Sequence, residues 1–504
     1  MVSAITLPKS NSFRIPNVSG LTGFVFIALI VYGVGRTILV TGHLPLIFPV
    51  LAAFLSAVFL LGVKIDRDPV LSLARLGFHV GLFAYFLSFP LLYPETIEPG
   101  FSDRVHQTVG WMLILTVFGF EAGYQVRRLI WRRHRPISFP AGLTLTQRRA
   151  LGVFVCLGLT AWLLTTIDYS MAAQVSTWDL LLSMRGRVEG ALENPLTELG
   201  QWSYLLTGGL YLAVASAFLL LISTRKASIK IKALCWPVLV LCSVLGFLSG
   251  SRALFLYSFA PLALSAWVQL IRLGLGHTLR LLIVCWAVLV LATVWIAMSA
   301  IRGQDVRSYE GTWEDIRPAE YARGAFDIYS SSALIVQSFP QEVEYQHGKS
   351  LIPLLLGWVP RSVWPDKPYP FSIYANTIRG ETLEDRSASI AVGLSGEGYG
   401  NFGLFGVLLW GVLMGLVCRA ADNYLGRFHP AHPLRLFLGA SISIWAAMIV
   451  RGGVAEMFYM GLQVNMFPIA LSLVLKLFAQ KEPLFYRNRR QMRHDTAVSQ
   501  IINT

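Results

Sequence analysis

Four short stretches combine arginine or glutamate with glycine, aromatic or amide residues at the ends of apolar runs. They are FLSGSR with Arg252, PRSVWPDKP with Arg361, SGEGYGN with Glu397, Tyr399 and Asn401, and VRGGVAEM with Arg451. A guanidinium group has a fixed charge and a planar set of donors that suits phosphate oxygens. A carboxylate beside them can deprotonate a sugar hydroxyl as general base. These residue types favour glycosyl transfer from a lipid-linked diphosphate, with arginines in place of a metal ion stabilising the leaving group.

Each of these residues also has a structural explanation. Arg252 can anchor the end of a span by reaching lipid phosphates. Arg451 and Glu456 can pair with each other across one helical turn. Glu397 can be a first-turn acid that the dipole of a helix N-terminus stabilises, with Asn401 starting the next span. The residues alone leave these alternatives open.

Other polar motifs are better explained as turns or solvated loops. Asp366 and Lys367 lie between prolines and are typical of turn chemistry. His429 and His432 form an HxxH pair in a basic, proline-containing loop without further ligands. The five cysteines lie in apolar runs and form no CxxC pair, which indicates neither zinc binding nor a disulfide framework. We therefore expect no metal and no other cofactor.

The elements that position these residues are predicted to be membrane-spanning helices. Of the 504 residues, 55% are hydrophobic and only 14% are charged, which is more apolar surface than a soluble domain can bury. A span needs roughly 20 apolar residues. About twelve such runs begin near Leu21, Leu46, Leu71, Thr108, Ala150, Trp202, Ala233, Ala253, Leu281, Asn401, Leu434 and Met457. The predicted fold is an all-α polytopic membrane protein.

The basic residues predict the orientation of these spans. The net charge of +14 comes largely from short loops and the tail, and the most basic loops fall on one side of the alternating spans. By the positive-inside rule this side is the cytoplasm, so both termini are expected there. This distribution also argues against nucleic acid as a partner. Arg75, near one end of the third run, can snorkel to the surface.

The predicted domain boundaries follow from these spans. Residues 1–301 hold spans one to nine, and residues 302–400 form a large late loop on the outer, periplasmic face. A loop of this length is uncommon unless it is functional, and a short helix is expected near residues 318–337. Residues 401–480 hold the last three spans, and residues 481–504 form a basic cytoplasmic tail.

Two motifs resemble a known family. HGKSLIPLLLGWVPRSVWPDKP (347–368) and GLSGEGYGNFGLFGVLLWG (393–411), together with the single large late loop, are similar to the oligosaccharide repeat unit polymerases, the Wzy-type O-antigen polymerases. The resemblance implies an enzyme of the bacterial inner membrane that joins undecaprenyl-diphosphate-linked oligosaccharides at the periplasmic face. A chain-length regulator and a flippase are further partners that it implies.

The resemblance also suggests roles for the candidate residues. It assigns Arg361 and Glu397 to catalysis, and Tyr399 and Asn401 to the acceptor sugar. Arg252 and Arg451 join Arg361 as candidate ligands of the diphosphate, resting mainly on the chemistry of the residues themselves. The glycines around Glu397 are expected to let backbone and ligand approach closely.

Two other functions remain as alternatives. An O-antigen ligase would transfer a finished glycan to a different acceptor. A permease or flippase would need polar residues or helix breaks within several spans, whereas the charges here gather at span ends.

The predicted orientation can be tested directly. A tag fused after Thr504 should be inaccessible to an impermeant reagent in intact cells and reactive after permeabilisation, because both termini are expected inside. Labelling of the tag in intact cells would contradict the orientation.

Overall fold

The computed structural model describes a helical bundle. The described residues are 72–87, 101–130, 144–172, 176, 208–223, 229–248, 261, 328–356, 359, 363–379, 391–426, 428 and 433–480. Throughout these ranges the regular structure is helical, without a β-strand, which confirms the predicted all-α class. The runs predicted to begin near Leu21, Leu46, Ala253 and Leu281 lie outside the described residues.

Eleven α-helices are numbered here in chain order within the described ranges. They are α1 Leu73–Leu82, α2 Asp103–Ile130, α3 Leu145–Ala172, α4 Gly209–Ser223, α5 Ile229–Leu248, α6 Ile328–Ser338, α7 Ile352–Leu356, α8 Phe371–Tyr374, α9 Gly393–Leu425, α10 Pro433–Arg451 and α11 Val454–Gln480. A π-helical turn, Phe83–Leu87, extends α1, and 3-10 turns occupy Lys349–Leu351 and Ala375–Arg379.

Three of these helices are long and apolar enough to cross a membrane. They are Leu145–Asp168 within α3, Gly393–Leu425, which is α9, and Leu434–Arg451 within α10. Large apolar side chains on α3 and α5, such as Leu157, Leu164 and Val240, are exposed on the bundle surface, as lipid-facing positions require. The chain is therefore a helical membrane protein. The second half of the short helix predicted near residues 318–337 is helical, as part of α6, and residues 318–327 lie outside the described residues.

Helix α9 packs against α2 through glycines on both helices. A Cβ at Gly123 would overlap the carbonyl oxygen of Val412, and one at Gly415 would overlap the carbonyl oxygen of Phe120. Gly119 and Gly411 are in similarly close contact with the partner backbone. Small residues at such an interface let helix backbones approach closely, which favours association inside a membrane.

A sharp break divides α9 into two arms. Phe402 has φ −143° and ψ 21°, and Gly403 has φ 64° and ψ −152°, a conformation that is essentially restricted to glycine. The short arm, residues 393–401, then runs back along the long arm, residues 404–425, because Gly398 contacts Gly406. Asn401 therefore does not start a helix as predicted but ends the short arm at the break.

Arg75 differs from its prediction. It is 8% exposed and forms a bidentate ion pair with Glu121 of α2, with Nε–Oε1 and Nη2–Oε2 distances of 2.8 and 2.7 Å. A buried guanidinium group needs such a partner, so pairing inside the bundle replaces snorkelling. Glu121 lies well inside α2, so the expectation that charges gather only at span ends was wrong here.

The glycine interface leads to a stability prediction. Gly415→Ala should lower the free energy of unfolding by about 1–3 kcal/mol, because its Cβ would push α9 away from α2. Gly152→Ala, in α3, is the matched control, since a Cβ there meets no atom within 4 Å. Thermal unfolding of the purified protein in detergent measures both. Equal midpoints for the two variants would contradict the close packing.

Candidate functional site

The carboxylate of Glu397 lies in the interior, under the loop that precedes α7. Its side chain is fully buried. Oε2 accepts a hydrogen bond from the backbone N–H of Val454, the first residue of α11. Oε1 lies 3.5 Å from the hydroxyl of Ser350. The prediction that Glu397 is a first-turn acid of its own helix is wrong, because α9 already begins at Gly393 and has no acid in its first turn. Glu397 instead lies at the N-terminus of α11, where the helix dipole stabilises a negative charge.

Asn401 connects Glu397 to the loop before α7. Its Nδ2 donates to the Ser350 hydroxyl at 2.8 Å and to the carbonyl of Glu397 at 2.9 Å. Its Oδ1 accepts from the backbone N–H of Gly348 at 3.0 Å. With Asn401 and Ser350 almost completely buried, these bonds satisfy polar groups that would otherwise be costly. The amide therefore fixes the loop relative to the carboxylate.

Backbone groups of the same loop cap the short arm of α9. The N–H of Gln346 donates to the carbonyl of Gly400 at 2.9 Å, and that of His347 donates to the carbonyl of Asn401 at 3.1 Å. The last carbonyls of a helix have no partner within the helix itself. His347 and Gly348 adopt φ values of 46° and 85°, which turns the chain so that these donors face the arm. We call residues 345–351 the cap loop.

Tyr399 lies at the edge of the same cluster and is 8% exposed. Its ring meets that of Tyr345 edge-on, with centroids 6.0 Å apart, and the two phenols are hydrogen-bonded. Arg104, an exposed residue of α2, is close enough to interact electrostatically with Tyr399. The tyrosine pair and this cation therefore lie beside the Glu397 cluster.

The glycines around Glu397 contact the protein's own atoms. Gly398 packs on Gly406, and the ring of Phe371 occupies the position of a side chain at Gly400. Gly453 also comes close, since a Cβ there would lie 3.2 Å from Oε2 of Glu397. The predicted close approach of a ligand to Gly398 and Gly400 is therefore corrected, because packing within the bundle already uses both surfaces.

The candidate arginines are placed only in part. Arg451 ends α10, is half-buried and comes three residues before Val454. It therefore belongs to the turn that supplies the donor to Glu397. Arg252 and Arg361 lie outside the described residues, as does the side chain of Glu456, the predicted partner of Arg451.

The predicted turn at Asp366 and Lys367 is confirmed. The N–H of Lys367 donates to the carbonyl of Trp364 at 3.2 Å, which closes a four-residue turn. The Lys367 ammonium donates to the carbonyl of Val359 at 2.8 Å. The HxxH residues His429 and His432 lie outside the described residues.

Sequence reasoning missed Ser350, Tyr345 and Arg104. Ser350 stands inside the motif HGKSLIP, next to Lys349. Its only sequence signal was membership of the first resemblance motif. A serine hydroxyl becomes informative once the fold brings it to a carboxylate, and no local pattern predicts that contact.

The broken helix, the buried carboxylate and the cap loop define a class: a helical membrane protein with a polar site where a short helix turns back into the bundle. No family model, curated protein or solved structure matches this chain. The class is therefore what the fold and site establish.

The role of Glu397 in capping α11 gives a prediction. Glu397→Gln should unfold close to the wild-type temperature, because an amide oxygen can still accept the Val454 N–H. Glu397→Ala should cost about 1–3 kcal/mol, because that buried donor loses its partner. Thermal unfolding in detergent separates the two variants. Wild-type stability of Glu397→Ala would show that the carboxylate does not hold α11.

Proposed function

We propose that this protein is a membrane glycosyltransferase that polymerises oligosaccharide repeat units carried on undecaprenyl diphosphate. One observation carries the proposal: the two motifs on which the family resemblance rests fold against each other. Ser350 and Gly348 come from the first motif, and Asn401 and Glu397 from the second. Segments about 50 residues apart that meet in one buried polar cluster are expected of a site.

The proposed chemistry uses the residues of this cluster and its surroundings. Glu397 accepts a proton from the acceptor sugar hydroxyl, whose oxygen bonds to the anomeric carbon of the donor. The bond between that carbon and the diphosphate breaks, and the diphosphate leaves with its charge stabilised by Arg361 and Arg252, assisted by Arg451. Tyr399 and Asn401 orient the acceptor. The arginines supply the positive charge, so the proposal needs no metal and no other cofactor.

The proposal requires the cap loop to move. Glu397 is fully buried, with Val454 on one oxygen and Ser350 near the other. A sugar hydroxyl reaches the carboxylate when the cap loop separates from the short arm of α9. The bonds that hold it there are the three backbone donors of residues 346–348 and the Ser350 contact, which suits a segment that opens for substrate.

The proposed setting is the bacterial inner membrane. About twelve spans would place both termini in the cytoplasm and the large loop, residues 302–400, in the periplasm. The basic loops support this orientation. In such a setting the donor and acceptor both reside on the lipid carrier at the periplasmic face, and a flippase and a chain-length regulator act beside the enzyme.

One observation favours transport as a second candidate. Ionisable residues lie inside the bundle at Arg75 and Glu121, and α9 is broken within a predicted span. Discontinuous helices and buried charges mark substrate or ion pathways in transporters.

The material that accumulates on the lipid carrier in a deletion strain distinguishes the functions. Single repeat units in the periplasm indicate a polymerase, long carrier-bound chains a ligase, and units retained on the cytoplasmic side a flippase.

The proposed base and diphosphate ligand can be tested by substitution. Glu397→Gln and Arg361→Ala should each reach the membrane at wild-type levels yet abolish long-chain polymer. The amide in Glu397→Gln can still accept the Val454 N–H but cannot take up a proton, and Arg361→Ala removes positive charge from the leaving diphosphate. Polymer length is measured by gel electrophoresis of the extracted glycan.

Glu342→Gln provides the control, since this glutamate is exposed and precedes the cap loop in the chain. It should leave polymer length unchanged. Long chains in both Glu397→Gln and Arg361→Ala would overturn the assignment of these residues.

A further inference from the structure

A second polar cluster lies away from Glu397, where α1, α2 and the distal end of α9 meet. It comprises six side chains, which we call the buried polar network: Arg75, His79, Glu121, Tyr124, Arg419 and Asp422. The proposed glycosyl transfer uses none of them. Ionisable side chains inside a membrane protein are costly and usually mark an ion or proton site.

The first half of the network is an ion pair with an added imidazole. Arg75 binds both oxygens of Glu121, at 2.8 and 2.7 Å. His79 Nε2 lies 2.8 Å from Oε1 of the same carboxylate. Since the carboxylate is an acceptor, Nε2 carries the proton and donates it. This arrangement leaves the other ring nitrogen, Nδ1, as a basic lone pair.

Nδ1 of His79 has no hydrogen-bond partner among the described residues, and the His79 side chain is fully buried. Its ring is bordered by Phe78 and Phe120, whose rings stack on each other at 3.8 Å and meet the imidazole edge-on. Buried polar atoms in native proteins usually have a partner, and an exception needs an explanation. A site for a proton is the explanation that fits an imidazole nitrogen.

The second half of the network balances the charges. Tyr124 donates to Asp422 at 2.7 Å, and the guanidinium groups of Arg75 and Arg419 lie 5.3 and 5.1 Å from the centroid of its ring. Two arginines and two carboxylates have formal charges that cancel. With a neutral His79 the network is therefore neutral, and one added proton would give it a charge of +1.

Titratable and charged side chains near His79 come from three helices, α1, α2 and α9. From α2 they are Glu121 and Tyr124, and from α1 itself Arg75. The α9 groups near the network are Arg419, Asp422 and the buried thiol of Cys418. From α10, Ser443 and Ala447 lie against Gly77 and Gly81 of α1, and neither of their side chains titrates.

We infer that His79 and Glu121 form a proton-binding site within the membrane domain. Nδ1 of His79 takes up one proton, while Nε2–H continues to donate to Glu121. The carboxylate then faces an imidazolium as well as Arg75, so it is the counter-ion that makes uptake of the proton possible. Arg75 and Glu121 are only 8% and 4% exposed, so the site lies inside the bundle.

Solid-state NMR of the full chain with ¹⁵N-labelled histidine in proteoliposomes tests the site. Among the signals of the nine histidines, the one that is lost in His79→Gln belongs to His79, and it should show a protonated Nε2 and an unprotonated Nδ1 at high pH. Its Nδ1 should become protonated as the pH is lowered from about 8 to about 4. An Nδ1 whose protonation state is constant over this range would overturn the proposal and leave His79 as a structural hydrogen-bond donor.

Two variants sharpen the result. Glu121→Gln should lower the protonated fraction of His79 at each pH, because the counter-ion is lost; an unchanged fraction would contradict the role of Glu121. If this variant does not fold, the wild-type titration decides alone. His106→Gln is the matched control, because Nδ1 of His106 already lies 3.0 Å from the Tyr329 hydroxyl. It should leave the His79 signal in place.

Discussion

A buried carboxylate needs hydrogen-bond donors, and this requirement organises the bundle around α9. Glu397 on the short arm accepts the first N–H of α11, and Asp422 at the other end accepts the N–H of Ala74, near the start of α1. In both cases the positive end of a neighbouring helix lies next to the acid, which is the favourable sense of the helix dipole. One helix thus anchors two others by their N-termini. The positions of α1 and α11 relative to the site depend on these two contacts.

The glycines make this arrangement possible. An acid on α9 reaches a neighbouring helix end only if the backbones come closer than ordinary side chains permit. Gly123 and Gly415 provide that approach between α2 and α9, and Gly398 and Gly406 provide it between the two arms. Gly403 alone supplies the backbone conformation that reverses the chain. A methyl group added at one of these close-contact glycines would therefore push apart the helices that form the polar site.

Much of the fold could be predicted from local patterns. Apolar runs predicted the helices because burial in lipid depends on composition over about 20 residues. Prolines around Asp366 predicted a turn for the same local reason. The sequence correctly indicated a helix boundary near Asn401, but it predicted the start of a helix there. The residues of the short arm were assigned to the loop, so the break at Phe402–Gly403 was taken for the beginning of the span.

The partners of the polar residues could not be predicted. Arg75 was expected to reach the surface because it lies near one end of an apolar run, whereas its partner, Glu121, lies 46 positions away. Ser350 and Val454 likewise reach Glu397 from 47 and 57 positions away. The contact between Glu397 and α11 also has a consequence for biogenesis. Because α11 is made last, the carboxylate of Glu397 has no α11 donor until the final helix of the described chain enters the membrane. The short arm therefore completes its folding only after synthesis of the bundle is nearly finished, and truncation before Val454 would leave an acid without its cap.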